Sequence, residues 1–186
     1  MGRNDLQMLF TRKKKAKERL FAAYWPTLKT SVPLLVIFGA DNRLPKKTLF
    51  EFLDGLLVLD IVTIVVDDKE MPDLLKHPQG KISFISTENG RNDPKIDLLL
   101  DGADMALVFD EKKATLQNLF KKGVIPIGAE KSPILDNYKP VEETGNSFTF
   151  RAVNSWDIFA AVVRAVETYR FPYDWEYILR GVLKVR

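Results

Sequence analysis

Few side chains in this sequence can carry out nucleophilic, acid–base or metal chemistry. The 186 residues include no cysteine and a single histidine, His77. The lack of cysteine excludes disulfides, thiol nucleophiles, iron–sulfur clusters and Cys-ligated zinc. One histidine also argues against a multi-histidine metal site and against a Ser-His-Asp site. Because His77 lies between Lys76 and Pro78 in a loop-like stretch, we interpret it as a surface residue.

Carboxylates and turn residues supply the remaining candidates. The pairs Asp67–Asp68 and Glu142–Glu143 have oxygen ligands suited to a cation, but adjacent carboxylates in turns are usually solvated. The turn Asn89–Asp93 could hold a phosphate through its amides, although we favour a plain turn. Trp175 and Tyr177 are interpreted as packing residues. We therefore assign no metal ligand, no cofactor and no catalytic residue.

Positive charge is concentrated at the N-terminus, although the net charge is only +3. Residues 1–31 contain eight Lys or Arg side chains against Asp5 and Glu18. Such a segment could contact phosphates of nucleic acid, nucleotide or lipid. Since no aromatic residues alternate with the basic run, we do not expect nucleic acid as a partner. We favour an amphipathic helix whose lysines face water and whose packing residues are Leu6, Leu9, Phe10, Leu20 and Phe21.

The elements that must position these side chains are short apolar strands alternating with helices. Apolar runs predict six strands, at Pro33–Phe38, Asp60–Val66, Lys81–Ser86, Met105–Phe109, Gly123–Ile127 and Ser147–Phe150. Two final helices are predicted, from Ser155 to Tyr169 with a cap at Asn154 or Ser155, and onwards from a cap at Asp174. Strands of this kind imply an α/β fold: a doubly wound, Rossmann-like domain with a mostly parallel six-stranded sheet flanked by helices.

The composition predicts one domain over residues 1–186, with a basic N-terminal helix in 1–31 and C-terminal helices in 154–186. We expect it to be cytoplasmic and without a membrane partner, because no apolar run spans a bilayer and no signal peptide is recognisable. In such sheets, ligands bind beyond the carboxyl ends of the strands. The segments at those ends are Gly39–Lys47, Asp67–Lys69, Thr87–Arg91, Asp110–Lys113 and Gly128–Asn137.

Five stretches follow one another at intervals typical of one enzyme family: Pro33–Leu53, Asp101–Val108, Lys122–Ile127, Thr144–Phe150 and Ala161–Gly181. Their order resembles the C-terminal, nucleotide-sugar-binding domain of bacterial glycogen and starch synthases. These are retaining glycosyltransferases whose two Rossmann-like domains face each other in the GT-B arrangement. The segment Arg12–Trp25 is similar to the lysine-rich helix before the first strand of that domain. The resemblance covers nearly the whole chain.

The resemblance also implies two glutamates at a fixed spacing after the fourth strand, the second of which holds the nucleotide ribose. The segment after Phe109 is shorter than this spacing requires. Glu111 or Asp110 could replace the first glutamate, and the second falls at Asn118. The glycine at the helix start, where backbone N–H groups would face the diphosphate, is also missing.

A cationic pair after the first strand is the next feature that the resemblance implies, since it would neutralise the leaving diphosphate. The loop Gly39–Lys47 offers Arg43 together with Lys46 or Lys47, at an altered spacing and beside the opposing charge of Asp41. The alternative is that Lys46 and Lys47 simply begin an exposed helical turn. The sequence favours neither interpretation over the other.

Two further departures decide the expected function. Ser132–Pro133 replace the paired glycines of the family, and we recognise no acceptor-binding domain of the kind that closes around the sugar. We therefore expect a degenerate, stand-alone glycogen synthase-like domain that is inactive alone and weakly binds ADP- or UDP-sugar or nucleotide. One alternative is a protein-interaction scaffold whose cleft is filled by Asp110–Lys113 and Ser132–Tyr138. The other is one half of a split glycosyltransferase.

Overall fold

Helices and strands alternate along the chain. The computed structural model describes residues 3–38, 46–67, 81–86, 94–109 and 112–185. Within these ranges there are six helices: α1 (Arg3–Tyr24), α2 (Lys46–Val58), α3 (Pro94–Gly102), α4 (Lys113–Lys121), α5 (Ser155–Tyr169) and α6 (Pro172–Lys184). The same ranges contain six strands: β1 (Leu34–Phe38), β2 (Val62–Asp67), β3 (Ile82–Ser86), β4 (Met105–Leu107), β5 (Ile125–Ala129) and β6 (Phe148–Phe150).

The strands form one all-parallel sheet in the order β3-β2-β1-β4-β5-β6. Every residue of β1 is buried, as expected when helices cover both faces of a sheet. The chain extends the sheet from β1 to β3 and then returns to place β4 on the other side of β1. Ile37 thus lies opposite Leu107. This topology confirms the predicted doubly wound α/β fold and puts the switch point at the carboxyl ends of β1 and β4.

All six strands differ from their predicted limits by one or two residues, and β2, β4 and β5 differ most. β4 ends at Leu107 rather than Phe109, and β5 begins at Ile125 rather than Gly123. Gly123 has a φ of +63°, and the N–H of Val124 donates to the carbonyl of Leu119 at 3.0 Å. These residues close the carboxyl end of α4, as a left-handed glycine commonly does, so the strand starts only after them.

The caps of the two C-terminal helices were predicted with mixed success. The predicted cap of α5 is confirmed, because the Asn154 side chain accepts the N–H of Asp157 at 2.8 Å. The predicted cap of α6 at Asp174 is wrong. This helix begins at Pro172, whose fixed φ suits a first helical position. The Asp174 carboxylate instead accepts the Tyr138 hydroxyl at 2.9 Å.

Helix α1 packs along α3 with two lysines buried, contrary to the prediction that its lysines face water. Lys13 and Lys17 are 7% and 5% exposed, whereas Phe10, expected to pack, is 40% exposed. The helices approach closely because Gly102 has no side chain. A Cβ at Gly102 would lie 2.6 Å from Leu20 Cδ1 and 3.0 Å from the backbone N of Lys17.

The buried ammonium of Lys17 lies at a junction of four elements. Its Nζ is 2.5 Å from Asp104 Oδ2 and donates to the Tyr169 hydroxyl at 3.1 Å. The same Asp104 oxygen accepts the N–H of Leu34 at 2.8 Å. The ion pair therefore links α1 to the start of β1, the residue before β4 and the end of α5. A buried pair needs such additional hydrogen bonds to offset the loss of hydration.

Lys13 is buried without a carboxylate in direct contact. Its ammonium donates to the carbonyl of Ala103 and, at 3.3 Å, to that of Lys122. Burial lowers the pKa of Lys13 to about 8, even though the negative charge of Asp104 acts in the opposite direction. The nearby charge of Lys17 adds to the decrease in pKa.

Replacing Asp104 should strongly destabilise the fold. The substitution Asp104→Ala leaves the Lys17 charge buried without its ion pair and the Leu34 N–H without an acceptor. We expect the free energy of unfolding, measured by urea denaturation, to fall by about 3–5 kcal/mol. The control Glu142→Ala removes an exposed ion pair with Lys139 and should cost less than about 1 kcal/mol. Equal, small losses in both variants would contradict the junction described here.

The lowered pKa of Lys13 predicts that stability rises between about pH 8 and pH 10. The unfolded lysine has a pKa near 10.5, so in this range the unfolded chain binds a proton that the folded chain does not. The free energy of unfolding should increase by up to about 1.4 kcal/mol per pH unit from this group. Burial raises the pKa values of Tyr138 and Tyr169 above 10.0. These tyrosines therefore stabilise the folded state below pH 10, and this stabilisation decreases as the pH rises above 10.

Urea denaturation of two variants between pH 7 and pH 10 isolates this contribution. Lys13→Met should flatten the rise, because it removes the titrating group. Lys14→Met removes the neighbouring exposed charge and should leave the slope unchanged. The same slope in Lys13→Met and in the unmodified protein would disprove the assignment to Lys13.

Candidate functional site

The candidate site is the edge of the sheet where β1 and β4 end. The register places Ile37 beside Leu107 and Leu107 beside Ile127, so three strands end next to one another. Helix α2 begins at this edge with Lys46, and α4 begins there with Lys113. Neither helix has an acidic residue in its first turn, and α4 has no side-chain cap. The positive ends of two helix dipoles therefore face the same edge.

The predicted cations are only partly described by the structure. Arg43 lies outside the described residues, and Lys46 is the first residue of α2. The Lys47 side chain is 89% exposed and lies 3.9 Å from Glu51 of the same helix. Such an exposed pair holds the ammonium weakly, so Lys47 stays available to a ligand. Lys46 and Lys47 share the first turn of α2 at the candidate edge, and their role in binding remains a prediction.

The described part of the chain offers no carboxylate at the predicted acidic positions of the site. Glu111 and Asp110 lie outside the described residues. Asn118 is exposed and lies towards the end of α4, where its carbonyl accepts the N–H of Lys122 at 3.2 Å. It is about 7.5 Å along the helix axis from Lys113, at 1.5 Å per residue. None of the nine residues of α4 is a carboxylate.

The long segment between β5 and β6 is held by side-chain amides. The Asn137 side chain accepts the N–H of Thr149 at 3.0 Å. The Asn146 side chain accepts the N–H of Asp136 at 2.8 Å and donates to the carbonyl of Ile134 at 3.0 Å. These bonds replace a regular ladder and fix the backbone of the segment.

Two glycines let helix α6 reach this segment. Gly145 has a φ of +114°, and a Cβ there would lie 2.6 Å from the Cα of Tyr138. A Cβ on Gly181 of α6 would lie 2.0 Å from the carbonyl oxygen of Gly145. Side chains at these positions would force α6 away from the segment, so the two backbones pack in direct contact.

Leu135 covers the end of β5 beside the switch point. A Cβ on Gly128 would lie 2.7 Å from Leu135 Cδ1 and 3.5 Å from Val108 Cγ2. Leu135 is partly buried against the core. An apolar side chain therefore occupies space above the carboxyl ends of β4 and β5, where a ligand would approach the sheet.

Ser132 is a buried polar residue that the sequence did not single out for its hydroxyl. It is 3% exposed, and its Oγ has no hydrogen-bond partner among the residues that the structure describes. Both backbone groups of Ser132 are hydrogen-bonded: its N–H donates to the carbonyl of Ala129, and its carbonyl accepts the N–H of Leu135. Nothing in the amino-acid pattern distinguishes such a serine from one whose hydroxyl is bonded.

Several other sequence candidates lie outside the described residues or on α6. His77, Asp68 and the turn at residues 89–93 lie outside the described residues. The predicted packing role of Trp175 is confirmed, because it is buried edge-on against Tyr169 at a centroid distance of 4.9 Å. Tyr177 is 38% exposed, and its hydrogen bond to Glu143 raises its pKa.

No group of three or more potential metal-ligating side chains occurs within the described ranges. No helix in that part of the chain is long and apolar enough to cross a membrane.

Curated relatives of this sequence are glycogen synthases, although no protein-family model matches the chain. The chain is 27% identical over 145 residues to glycogen synthase of Desulfitobacterium hafniense, covering 73% of this chain and 31% of the relative. It is 29% identical over 89 residues to glycogen synthase 1 of Synechocystis sp., covering 45% and 19%. The chain thus spans about a third or less of the length of these relatives.

Solved structures with the same fold are glycosyltransferases. The catalytic domain of starch synthase IV from Arabidopsis thaliana, bound to ADP and acarbose, matches 94% of this chain with a TM-score of 0.64 and 15% identity. The match covers 39% of that chain. WaaG, a glycosyltransferase involved in lipopolysaccharide biosynthesis, matches 92% of this chain and 47% of its own, with a TM-score of 0.59 and 16% identity. Together with the glycogen synthase relatives, these matches confirm the predicted resemblance to a GT-B C-terminal domain.

The unpartnered hydroxyl of Ser132 predicts an unusual response to substitution. Ser132→Ala removes a buried polar group without a hydrogen bond, so the free energy of unfolding should rise by up to about 1 kcal/mol. Ser147 is the matched control, since it is fully buried but donates to the Asp136 carbonyl at 2.8 Å. Ser147→Ala should lower stability by about 1 kcal/mol. Chemical denaturation measures both, and an equal loss in Ser132→Ala would show that its hydroxyl has a stabilising partner.

Proposed function

We propose that this chain, a glycogen synthase-like domain with the GT-B fold, binds the diphosphate of a nucleotide or nucleotide sugar at the carboxyl ends of β1 and β4. The observation that carries the proposal is that α2 and α4 both begin at that edge with no acidic residue in their first turns. The first turn of α2 carries Lys46 and Lys47, and the start of α4, which the Lys112 side chain does not cap, lies at the same switch point. Both helix starts offer N–H groups and a favourable dipole to a phosphate.

We further propose that the chain alone transfers no sugar. The resemblance assigns the ribose-holding carboxylate to the position of Asn118, and α4 contains no Asp or Glu that could replace it. A neutral amide does not supply the negative charge of a carboxylate. Leu135 also lies over Gly128 next to the strand ends, which reduces the space for a ligand at β4 and β5. Weak binding without transfer is the function that fits these features.

A second candidate is a protein-interaction scaffold with a vestigial cleft. The position of Leu135 favours it, because filling of the cleft by the segment 132–138 is what this function predicts. Trp156 and Tyr173 are each 81% exposed at the starts of α5 and α6, and large exposed aromatic residues are common in protein interfaces. Under this function, the edge at α2 and α4 would have no affinity for nucleotides.

Calorimetric titration with ADP, UDP and their glucose conjugates at low salt separates the two functions. We expect saturable binding that the double substitution Lys46→Ala and Lys47→Ala weakens by about tenfold or more, since each charge-assisted contact contributes 1.5 kcal/mol or more. Lys121→Ala at the other end of α4 is the control and should have no effect. The unmodified chain should transfer no glucose from either conjugate to an added glucan acceptor.

The titration also has a clear negative outcome. A ligand bound with about −4 kcal/mol is detected at near-millimolar concentration. No heat in that range would refute nucleotide binding and favour the scaffold. Equal weakening by Lys121→Ala would assign the heat to general electrostatics instead of to the edge at α2.

A further inference from the structure

A groove of about 550 Å³ lies between α1 and α6, at the amino ends of the strands. Its lining includes Thr30 and Ser31, which precede β1, and Asp104, which precedes β4. It is therefore at the opposite edge of the sheet from the candidate nucleotide site. Its volume is within the range of small-molecule pockets, about 300–1,000 Å³.

The floor of the groove is rigid and already neutral. Lys17 and Asp104 form their buried ion pair there, and the Tyr169 hydroxyl accepts a hydrogen bond from Lys17. The Tyr169 ring is fixed edge-on against Trp175. Because Lys17 and Asp104 neutralise each other, a charged ligand would be recognised by the other residues that line the groove.

The polar groups still available in the groove are hydrogen-bond donors. Lys14, Thr30 and Ser31 line it, and none of their side chains has a hydrogen bond or ion pair to the described part of the chain. Tyr169 accepts from Lys17 and keeps its own proton to donate, since burial raises its pKa. Three lysines, Lys13, Lys14 and Lys17, line the groove against Asp104 and Glu176, and Glu176 also contacts Arg180 at 2.5 Å. The uncompensated charge is thus positive.

The groove also has an apolar wall. Phe10 is 40% exposed, and Pro172 and Leu179 line the groove next to it. A hydrated inorganic ion would gain nothing from this wall. A ligand with an apolar body would remove this surface from water while its anionic group meets the donors.

We propose that this groove binds a small organic anion, with a phosphate or carboxylate at Lys14, Thr30 and Ser31 and an apolar portion against Phe10 and Pro172. The proposal concerns a different edge of the sheet and does not rest on nucleotide binding by the chain. Helix α1 contributes through its 10, 13, 14 and 17 positions, which form one face. Lys15 lies on another face, beside Met8 and Arg12.

Titration of the full chain with four probes tests the chemistry of the site. Phenyl phosphate and benzoate carry both an anion and a ring, inorganic phosphate lacks the ring, and benzyl alcohol lacks the charge. We expect saturable binding of phenyl phosphate or benzoate, with both single-feature probes weaker by about tenfold or more. The stronger of the two aryl anions identifies the preferred anionic group. Backbone amide NMR shifts should move in residues 10–17, 30–31 and 172–179, and stay unchanged in the first turns of α2 and α4.

Two variants with the same change in net charge make the test specific. Lys14→Gln should weaken binding of the aryl anion by about tenfold, as expected for loss of a charge-assisted hydrogen bond. Lys15→Gln should leave it unchanged. Equal weakening by both variants, NMR shifts centred on the α2 edge, or no saturable binding of either aryl anion up to about 10 mM would each overturn the proposal.

Discussion

The buried contact between Lys17 and Asp104 is the interaction on which the arrangement of the sheet depends. Asp104 accepts hydrogen bonds from Lys17 and from the N–H of Leu34, so one carboxylate holds α1 and the start of β1 beside the start of β4. These two strands flank the switch point, and their relative register fixes where their other ends lie. A side-chain contact at the amino end of the sheet thus helps to hold together the two strands whose other ends form the candidate site. The low polarity that makes the pair costly to bury also makes it costly to break.

The two edges of the sheet differ in where their charge comes from. At the amino edge, the buried charges of Lys17 and Asp104 are paired in fixed positions, and the groove beside them has rigid walls. At the carboxyl edge, helix starts supply positive potential from backbone groups, which costs no side-chain entropy when an anion binds. The segment between β5 and β6 belongs to neither regular element, yet amide side chains such as those of Asn137 and Asn146 give its backbone a defined course. That course is what brings Leu135 over Gly128.

The sequence predicted the features that depend on neighbours along the chain and missed those that depend on distant partners. Apolar runs located all six strands. The cap at Asn154 involves the N–H of a residue only three positions further along the chain. Burial of Lys17 was missed because its partner Asp104 is 87 positions distant, and a lysine in an amphipathic pattern is normally solvated. At the candidate site, Lys46 and Lys47 were proposed from the family resemblance, and their role in binding stays a prediction. The unpartnered hydroxyl of Ser132 could not be foreseen, because hydrogen bonding is a property of the folded surroundings.

The long sequence separations within the α1 junction have a consequence for synthesis on the ribosome. Lys17 is translated 87 residues before Asp104 and 152 residues before Tyr169. At 5–20 residues per second, α1 waits roughly 4–17 seconds for Asp104 to be added and longer for Tyr169. During this time the buried contacts of Lys17 cannot form, because their partners have not been synthesised. The many positive charges of this helix then keep the nascent segment dissolved, so the same residues serve solubility first and tertiary packing afterwards.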